Sequence, residues 1–402
     1  AKDLEALGNS SKTSQGTRAL LIAALLWDGE GAWTRASKLY ARILKRAPRS
    51  GAAESARWRL GWEAYRGERY EEAIEHFERL ERIEDDPIAA LRPRYWMLRA
   101  REHLGDLEAL TGFQALAQEY PLTYYGWRAA GRVAPRPDLP LPLANAIPRG
   151  QVALDGEDLA RAQILVEAGL DEAAHSELAA LRKRAKGLED RLALAQLHAE
   201  IGDFNRAQRI AIDYYGGRLS RGPAVRDIEL WWHAWPAPFE SAIGELRGQG
   251  VEMDPALLYS IMREESGYRP AVRSVSGARG LLQLMPTTAD RVARDVGLPD
   301  FDPDQLFQPA INIRLGAAYL EGLLAQFDGR RSAAIASYNA GPQAVRRWLS
   351  KHVGEDDEFV EEIPYSQTRA YAKRVLRSFH AYRVLHEWPA ASAPRTAATG
   401  LR

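Results

Sequence analysis

The first third of this chain repeats a short phrase at nearly constant intervals. A small residue is followed four positions later by an aromatic residue, and the pairs recur 37 and then 36 residues apart. These pairs are Ala36–Tyr40, Ala73–Phe77 and Ala109–Phe113. Residues four apart share one face of a helix, and a small residue beside an aromatic one lets two helices approach closely. The interval is close to that of tetratricopeptide helix pairs, so we predict a helical-repeat domain over residues 1–134.

A second phrase, a glycine followed five positions later by an alanine, extends the helical prediction. It occurs at Gly31–Ala36, Gly169–Ala174 and Gly202–Ala207. We therefore predict a second helical-repeat or linking domain over residues 151–240. Five prolines crowd residues 135–148, and because proline interrupts helices we expect 135–150 to form an extended linker. The tryptophan- and proline-rich cluster at 231–239 is interpreted as a packing corner.

The remainder of the chain has a different sequence pattern. From 241 to 388, helical patterns alternate with loops that contain Gly, Asn and Pro, which indicates a separate, mostly helical domain. Residues 389–402 are rich in Ala, Pro, Ser and Thr and are expected to form a disordered tail. The predicted fold class is therefore mainly α.

Composition excludes several classes of function. Lys and Arg together number 54, as do Asp and Glu, so no excess of positive charge is available for a nucleic acid. The absence of cysteine rules out disulfides and thiolate metal ligands. The eight histidines show no His-Glu-x-x-His or related spacing, so no catalytic metal or other cofactor is expected. The apolar run from Ala19 to Trp27 is too short to span a bilayer, and no signal peptide is visible.

Glu265 lies at the end of a well-defined predicted helix. Asp254 and Pro255 are typical of an N-cap and a first turn, an apolar stripe follows and continues to Glu265, and Gly267 is expected to end the helix. A buried carboxyl at a helix C-terminus has a raised pKa, as a general acid at neutral pH requires. A cap contact or buried salt bridge would explain Glu265 equally well on this segment alone. Glu264 is turned by about 100° and is expected to be solvated rather than a catalytic partner.

Two later segments carry further candidate residues. Gly277 and Gly280 are expected to allow a tight turn and the close approach of another segment. Gln283 follows them, and its amide offers both a donor and an acceptor to sugar hydroxyls or acetamides. Tyr338 closes a helix predicted from about Ser332, where its ring can lie in a groove while its hydroxyl meets a partner.

In this order, these segments resemble the catalytic domain of the soluble lytic transglycosylases, bacterial enzymes with a lysozyme-like fold that cleave peptidoglycan. The family's Glu-Ser phrase matches 265–266, and its Tyr-Asn-Ala-Gly phrase matches 338–341. Its Gly-Leu-Met-Gln-x-Met-Pro phrase matches 280–286, with Leu282 in place of the first Met. Its Glu-x-Ile-Pro-x-x-Glu-Thr-x-x-Tyr phrase matches 361–371, but Gln367 replaces the usual Glu, which puts a charge-dependent sugar contact there in question. The helical repeats, with Tyr124–Trp127, resemble the family's superhelical domain.

The resemblance implies cleavage of the β-1,4 bond between N-acetylmuramic acid and N-acetylglucosamine. Glu265 would protonate the glycosidic oxygen and then take a proton from the muramyl 6-hydroxyl, which closes on the anomeric carbon to leave a 1,6-anhydro end. The residues implied to contact the glycan are Ser266, Gln283, Met285, Tyr338, Asn339, Tyr365 and Gln367. The implied partner is the peptidoglycan strand, with the helical repeats open to other cell-wall proteins. The implied location is the periplasm, after removal of a signal peptide.

Two alternatives stay open at this point. A goose-type lysozyme-like hydrolase would use the same glutamate with a water molecule and leave a reducing end. A helical-repeat cell-wall scaffold with a degenerate enzyme domain would not cleave at all, although the intact Glu265 argues against it. Ser266, Met285 and Asn339 have equally good structural explanations as a helix end, a core residue and a cap. For Gln283 and Tyr338 the role in ligand contact is favoured.

Overall fold

In a computed structural model of the chain, the described residues are 1–133, 156–223, 228–298 and 300–386. Across these residues the backbone forms α-helices, short 3-10 turns and two isolated β-bridges, without a β-strand. The predicted mainly α fold is therefore confirmed. The predicted linker at 135–150 and the predicted tail at 389–402 lie outside the described residues. Two compact units can be distinguished: unit 1 contains residues 1–121 and 125–133, and unit 2 contains 122–124 and the described residues from 156 onward.

The helices of residues 1–133 confirm the predicted repeat. They are α1 (Lys2–Ser10), α2 (Ser14–Gly29), α3 (Trp33–Arg46), α4 (Gly51–Arg66), α5 (Tyr70–Ile83), α6 (Leu91–His103), α7 (Glu108–Glu119) and α8 (Tyr124–Ala130). The alanine and the aromatic residue of each predicted pair are buried, in α3, α5 and α7. At Gly61 in α4, an added Cβ would lie 2.8 Å from the ring of Phe77 in α5, so only glycine permits this approach. Small residues next to aromatics thus set the spacing of consecutive helices.

Unit 2 begins with a second helical region. Its helices are α9 (Gly156–Glu167), α10 (Asp171–Arg184), α11 (Leu188–Glu200), α12 (Phe204–Leu219) and α13 (Ile228–Ala234). Ala162, Ala174 and Ala207 are fully buried, and Ala162 and Ala207 belong to a core with leucines of α10 and α11. The glycine-to-alanine phrase therefore marks helix starts whose alanine faces the core.

The rest of unit 2 carries the motifs of the resemblance. Its helices are α14 (Glu240–Gly244), α15 (Pro255–Glu265), α16 (Pro286–Asp295), α17 (Pro309–Gln326), α18 (Arg331–Ala340), α19 (Pro342–Leu349), α20 (Asp356–Glu362) and α21 (Ser366–Leu385), with 3-10 turns at Arg247–Gln249 and Pro303–Phe307. Helix α21 packs along α15 and also contacts α18 and α20. Of the described helices, none is both long and apolar enough to cross a bilayer.

The tryptophan- and proline-rich segment at 231–239 packs against α15 and α21. Tyr259 of α15 donates a hydrogen bond to the carbonyl of Pro238, and Tyr382 of α21 donates one to the carbonyl of Pro236, each at 2.7 Å. The two tyrosine rings stack with centroids 5.4 Å apart. This segment is the packing corner that its composition indicated, and it holds the two central helices of the second half of unit 2 together.

Candidate active site

Glu265 is the last residue of α15, and local signals in the sequence define both ends of that helix. Asp254 accepts a hydrogen bond from the backbone N–H of Ala256 at 2.9 Å, which caps the N-terminus. Ser266 closes the C-terminus, because its backbone N–H and its hydroxyl both donate to the carbonyl of Met262, at 3.1 and 3.2 Å. The predicted helix is therefore confirmed from its N-cap to its end.

The carboxyl of Glu265 is partly buried, and burial raises its pKa to about 7. The negative end of the α15 dipole acts in the same direction. At neutral pH such a group is present partly as the acid and partly as the carboxylate. It can therefore donate a proton in one step and accept one in the next. The sequence prediction of a raised pKa at Glu265 agrees with this environment.

Tyr371 of α21 is the direct partner of Glu265. Its phenol donates a hydrogen bond to Oε1 of Glu265 at 2.7 Å. The phenol itself is buried, and burial together with the charge of Glu265 raises the pKa of Tyr371 well above its ordinary value, so it remains a donor. The bond favours the ionised form of Glu265 and lowers its pKa, but the effect of burial is larger. Tyr371 therefore fixes one carboxyl oxygen and leaves Oε2 for other contacts.

Glu264 was expected to be solvated, and this prediction is wrong. Its side chain is only 9% exposed. Arg263 donates to one carboxylate oxygen at 3.0 Å, and Arg374 donates to the other at 2.6 Å. Since α21 packs on α15, it brings Arg374 to a side chain that a lone helix would leave in water. The paired carboxylate still raises the pKa of Glu265, whereas Arg374 lowers it.

A tight loop over residues 279–286 lies between α15 and α16 in the sequence and is shaped by Gly280. Its φ is +74°, and an added Cβ would lie 2.0 Å from the Leu306 carbonyl oxygen and 2.3 Å from Nδ2 of Asn312. The fully buried amide of Asn312 accepts from the N–H of Leu282 at 2.8 Å and donates to the carbonyls of Arg279 at 3.0 Å and Leu306 at 2.8 Å. One asparagine therefore satisfies three backbone groups and fixes the loop to α17.

Gln283 lies at the turn of this loop with a left-handed backbone, φ +47°. Its side-chain amide donates to the carbonyl of Gly280 at 2.8 Å and to that of Val272 at 3.2 Å. Both amide hydrogens therefore stabilise the loop. A contact from Gln283 to a ligand would come from its side-chain carbonyl oxygen, an acceptor for a sugar hydroxyl.

Tyr338, near the end of α18, joins the same site. Its hydroxyl donates to the carbonyl of Leu282 at 2.7 Å, and its ring lies 5.4 Å from that of Tyr319. Burial raises the pKa of Tyr338 well above its ordinary value, and the charge of Glu265 raises it further. Tyr338 also raises the pKa of Tyr371, so Glu265, Tyr338 and Tyr371 lie close enough to interact electrostatically.

The other predicted site residues lie in three different settings. Ser266 is buried and directed at Met262, so it acts as a helix cap. Met285 is exposed next to the start of α16, and Asn339 accepts a hydrogen bond from the hydroxyl of Thr368 at 2.7 Å. The exposed Tyr365 and Gln367 lie around the start of α21, where Tyr365 meets Trp348 edge to face at 5.2 Å.

Tyr371 is the site residue to which sequence reasoning gave no role, although it is the last position of the fourth matched phrase. The signal available for it was the pattern of α21. Thr368, Tyr371 and Val375 follow at spacings of three and four and all three are buried, which identifies the inward face of that helix.

Comparisons with known proteins identify the domain in which Glu265 lies. The model of the Transglycosylase SLT domain family matches residues 245–359. The soluble lytic murein transglycosylase of Salmonella typhimurium is 34% identical over 299 residues, which cover 72% of this chain and 43% of that protein. The endo-type membrane-bound lytic murein transglycosylase A of Klebsiella pneumoniae is 35% identical over 162 residues, which cover 38% of this chain and 74% of that protein.

Solved structures show the same architecture. The lytic transglycosylase Slt of Pseudomonas aeruginosa, determined as an inactive mutant, matches with a TM-score of 0.68 and 27% identity over 93% of this chain and 57% of that one. The 70 kDa soluble lytic transglycosylase of Escherichia coli matches with a TM-score of 0.68 and 24% identity over 96% of this chain and 65% of that one.

Fold and site together define a protein with an SLT domain preceded by helical repeats. The chain belongs to the family of lytic murein transglycosylases with an SLT domain. It spans less than half the length of the Salmonella relative.

Proposed function

We propose that this chain is a peptidoglycan lytic transglycosylase that cleaves the β-1,4 bond between N-acetylmuramic acid and N-acetylglucosamine. The observation that carries the proposal is the carboxyl of Glu265, which burial brings to a pKa of about 7 while Tyr371 holds it by one oxygen. A group with this pKa is suited to protonate the leaving glycosidic oxygen and then to accept a proton in the following step.

The second step determines the product. A two-carboxylate glycosidase needs a second free carboxylate as nucleophile or base, about 5–9.5 Å away. Glu264 is the adjacent carboxylate, but both its oxygens are occupied by Arg263 and Arg374. In our proposal the substrate supplies the nucleophile. Glu265 takes the proton of the muramyl 6-hydroxyl as that oxygen bonds to the anomeric carbon, which gives a 1,6-anhydromuramyl end.

The relatives support this reaction over the two alternatives. Those reported above are named lytic transglycosylases, and the Pseudomonas aeruginosa structure is of an inactive mutant with a glutamate replaced by glutamine. That substitution removes proton transfer while it keeps the shape of the side chain, so an essential acidic glutamate accounts for the loss. We assign that role to Glu265 here. In our proposal the protein acts in the bacterial periplasm, where peptidoglycan strands are its partner.

The test is product analysis of purified sacculi digested with the unaltered protein and with Glu265→Gln. We expect anhydromuropeptides from the unaltered protein and a loss of at least about 100-fold in Glu265→Gln. Glu245→Gln, the same substitution at an exposed position of unit 2, is the matched control and should retain full activity.

Other outcomes would overturn the proposal in distinguishable ways. Products with reducing ends would indicate a lysozyme-like hydrolase instead. No cleavage by the unaltered, folded protein would indicate a scaffold. Undiminished cleavage by Glu265→Gln would show that the proton comes from another residue.

A further inference from the structure

A cluster of two histidines and an aspartate lies in the helical region of unit 2. His175 is on α10, His198 is on α11, and Asp203 precedes α12. One ring nitrogen of each histidine and one carboxylate oxygen of Asp203 all lie within 4.8 Å of one another. The side chains of His198, Asp203 and His175 are 1%, 17% and 38% exposed, so the cluster reaches from the core to the surface.

The spacing of the three atoms is close to that of metal ligands. Oδ2 of Asp203 lies 3.5 Å from Nδ1 of His198 and 3.6 Å from Nδ1 of His175. Tetrahedral zinc bonds to nitrogen and oxygen are about 2.0–2.1 Å long, which puts neighbouring ligand atoms about 3.3 Å apart. The two distances from Asp203 exceed this by a few tenths of an ångström, and side-chain rotations would bring the three ligand atoms to the spacing of a bound ion.

The two histidine nitrogens are also buried without a hydrogen-bond partner. A distance of 3.5–3.6 Å to Asp203 is too long for a good N–H···O bond. A buried polar atom without a partner costs about 1–3 kcal/mol, so two of them converging on one carboxylate call for an explanation. One cation between them would satisfy both nitrogens and the oxygen at once.

The carboxylate of Asp203 is oriented by the helix that follows it. Its Oδ1 accepts the backbone N–H of Arg206 at 3.1 Å as the cap of α12, which directs Oδ2 at the histidines. The Arg206 side chain approaches Oδ2 at 3.4 Å and is 47% exposed. The Arg206 side chain would therefore compete with a cation for the Asp203 carboxylate. Because it is half-exposed, it can turn into solvent when a cation binds.

We propose that His175, His198 and Asp203 bind a divalent transition-metal ion, with Zn²⁺ as the best fit and water at the remaining position. Two imidazoles and one carboxylate favour Zn²⁺ over Mg²⁺ or Ca²⁺, which prefer all-oxygen sites. The ion would join α10, α11 and α12. Asn205, two residues after Asp203, packs on Gly267, where an added Cβ would lie 2.2 Å from its amide nitrogen. The proposed site therefore stabilises the helices that support the loop after Glu265 and takes no part in the chemistry.

The test uses the full chain without an affinity tag, freed of metal by a chelator and kept at a constant, slightly alkaline pH. Zn²⁺ is titrated against a chromophoric competitor, and Co²⁺ is added separately to record its visible absorption. We expect one Zn²⁺ per chain, a Co²⁺ spectrum of low coordination number and no response to Mg²⁺. His175→Ala, His198→Ala and Asp203→Asn should each weaken Zn²⁺ binding by at least about 10-fold. Asp203→Asn keeps a good helix cap, so it separates the ligand from the fold.

Two controls sharpen the result. His76→Ala removes a histidine from unit 1 and should leave binding unchanged, whereas Arg206→Ala removes the competitor and should tighten it. The proposal is overturned if no Zn²⁺ binds, or if binding is equal in His175→Ala, Asp203→Asn and the unaltered protein. Should His198→Ala fail to fold by circular dichroism, the other two ligand variants decide. None of these measurements depends on cleavage of peptidoglycan.

Discussion

The phenol of Tyr371 donates a hydrogen bond to Oε1 of Glu265 at 2.7 Å, and this bond opposes the effect of burial on the same carboxyl. Burial disfavours the ionised form, the hydrogen bond favours it, and the balance leaves the pKa at about 7. Since several named groups contribute in opposite directions, single substitutions should move this pKa up or down. This gives a test of the site that goes beyond loss of activity.

Tyr371→Phe should raise the pKa of Glu265, because it removes the donor that stabilises the carboxylate. If protonated Glu265 is the acid in the free enzyme, kcat/KM falls as pH rises through its pKa, and this alkaline limb should move to higher pH in the variant. The rate at the optimum should fall by about 10- to 100-fold, since a hydrogen bond to a charged group is worth about 1.5–3 kcal/mol. The measurement is the pH profile of anhydromuropeptide release. Tyr214→Phe, an exposed tyrosine of unit 2, is the control, and a limb that stays in place would contradict the assignment.

Glu264→Gln should move the alkaline limb of the pH profile to lower pH. The charge of Glu264 raises the pKa of Glu265, and its removal also leaves Arg374 without its carboxylate partner, so the pKa falls. The profile of the variant should therefore decline at lower pH than that of the unaltered protein. Glu245→Gln serves as the control for loss of a surface charge. A shift of both variants in one direction would show that disruption of the fold, rather than the local charges, controls the profile.

Glu265→Gln should stabilise unit 2 in a pH-dependent manner. Below pH about 4.5 the carboxyl is protonated in both folded and unfolded chains and has no effect. Between 4.5 and about 7 the folded chain retains a proton that the unfolded chain has lost, so stability falls as pH rises and then stays constant. At pH 8 the variant should be more stable by on the order of 2–3 kcal/mol, and at pH 4.5 by little. Hydrogen exchange of peptides from α15 and α21 measures this directly, and equal protection of both proteins at pH 8 would contradict the raised pKa.

Gly280→Ala and Gly277→Ala form a matched pair for the loop at 279–286. Both glycines have a positive φ, +74° and +90°, so alanine costs about 1–2 kcal/mol at either position. Only at Gly280 would the new Cβ also meet the Leu306 carbonyl and Asn312, since Gly277 has nothing within 4 Å. We expect Gly280→Ala to lose about 2 kcal/mol more than Gly277→Ala, together with most of the activity. Thermal unfolding and sacculus digestion provide the comparison. Similar losses in the two variants would mean that the loop adjusts to the added methyl group at position 280.

Local patterns predicted the helix of Glu265 well, because its signals lie within a dozen residues. Asp254 caps it, and an apolar face leads to the glutamate. The partners could not be predicted, since they arrive from far along the chain: Tyr371 lies 106 residues after Glu265. The same distance explains the wrong prediction for Glu264, whose carboxylate looks solvated until α21 brings Arg374 to it.

Two further findings lay beyond pattern reasoning for different reasons. Gln283 was chosen for its amide, but the left-handed backbone of the loop turns both amide hydrogens onto carbonyls of its own segment. The histidine–aspartate cluster has no regular spacing in the sequence, because His175 and His198 lie on successive helices and Asp203 caps the next one. Only the packing of those helices, and not any regular interval, brings the three side chains together.

The position of α21 has a consequence for how the protein is made. Glu265 leaves the ribosome more than a hundred residues before Tyr371, so the carboxyl is synthesised well before its hydrogen-bond partner. Until α21 is synthesised, α15 lacks the helix that packs along it and Glu265 lacks the hydrogen bond from Tyr371. A chain interrupted before Ser366 would therefore carry the matched glutamate, loop and tyrosine motifs of residues 265–341 and still lack the partner of Glu265 on α21. The last described helix therefore completes the surroundings of a carboxyl that is synthesised more than a hundred residues earlier.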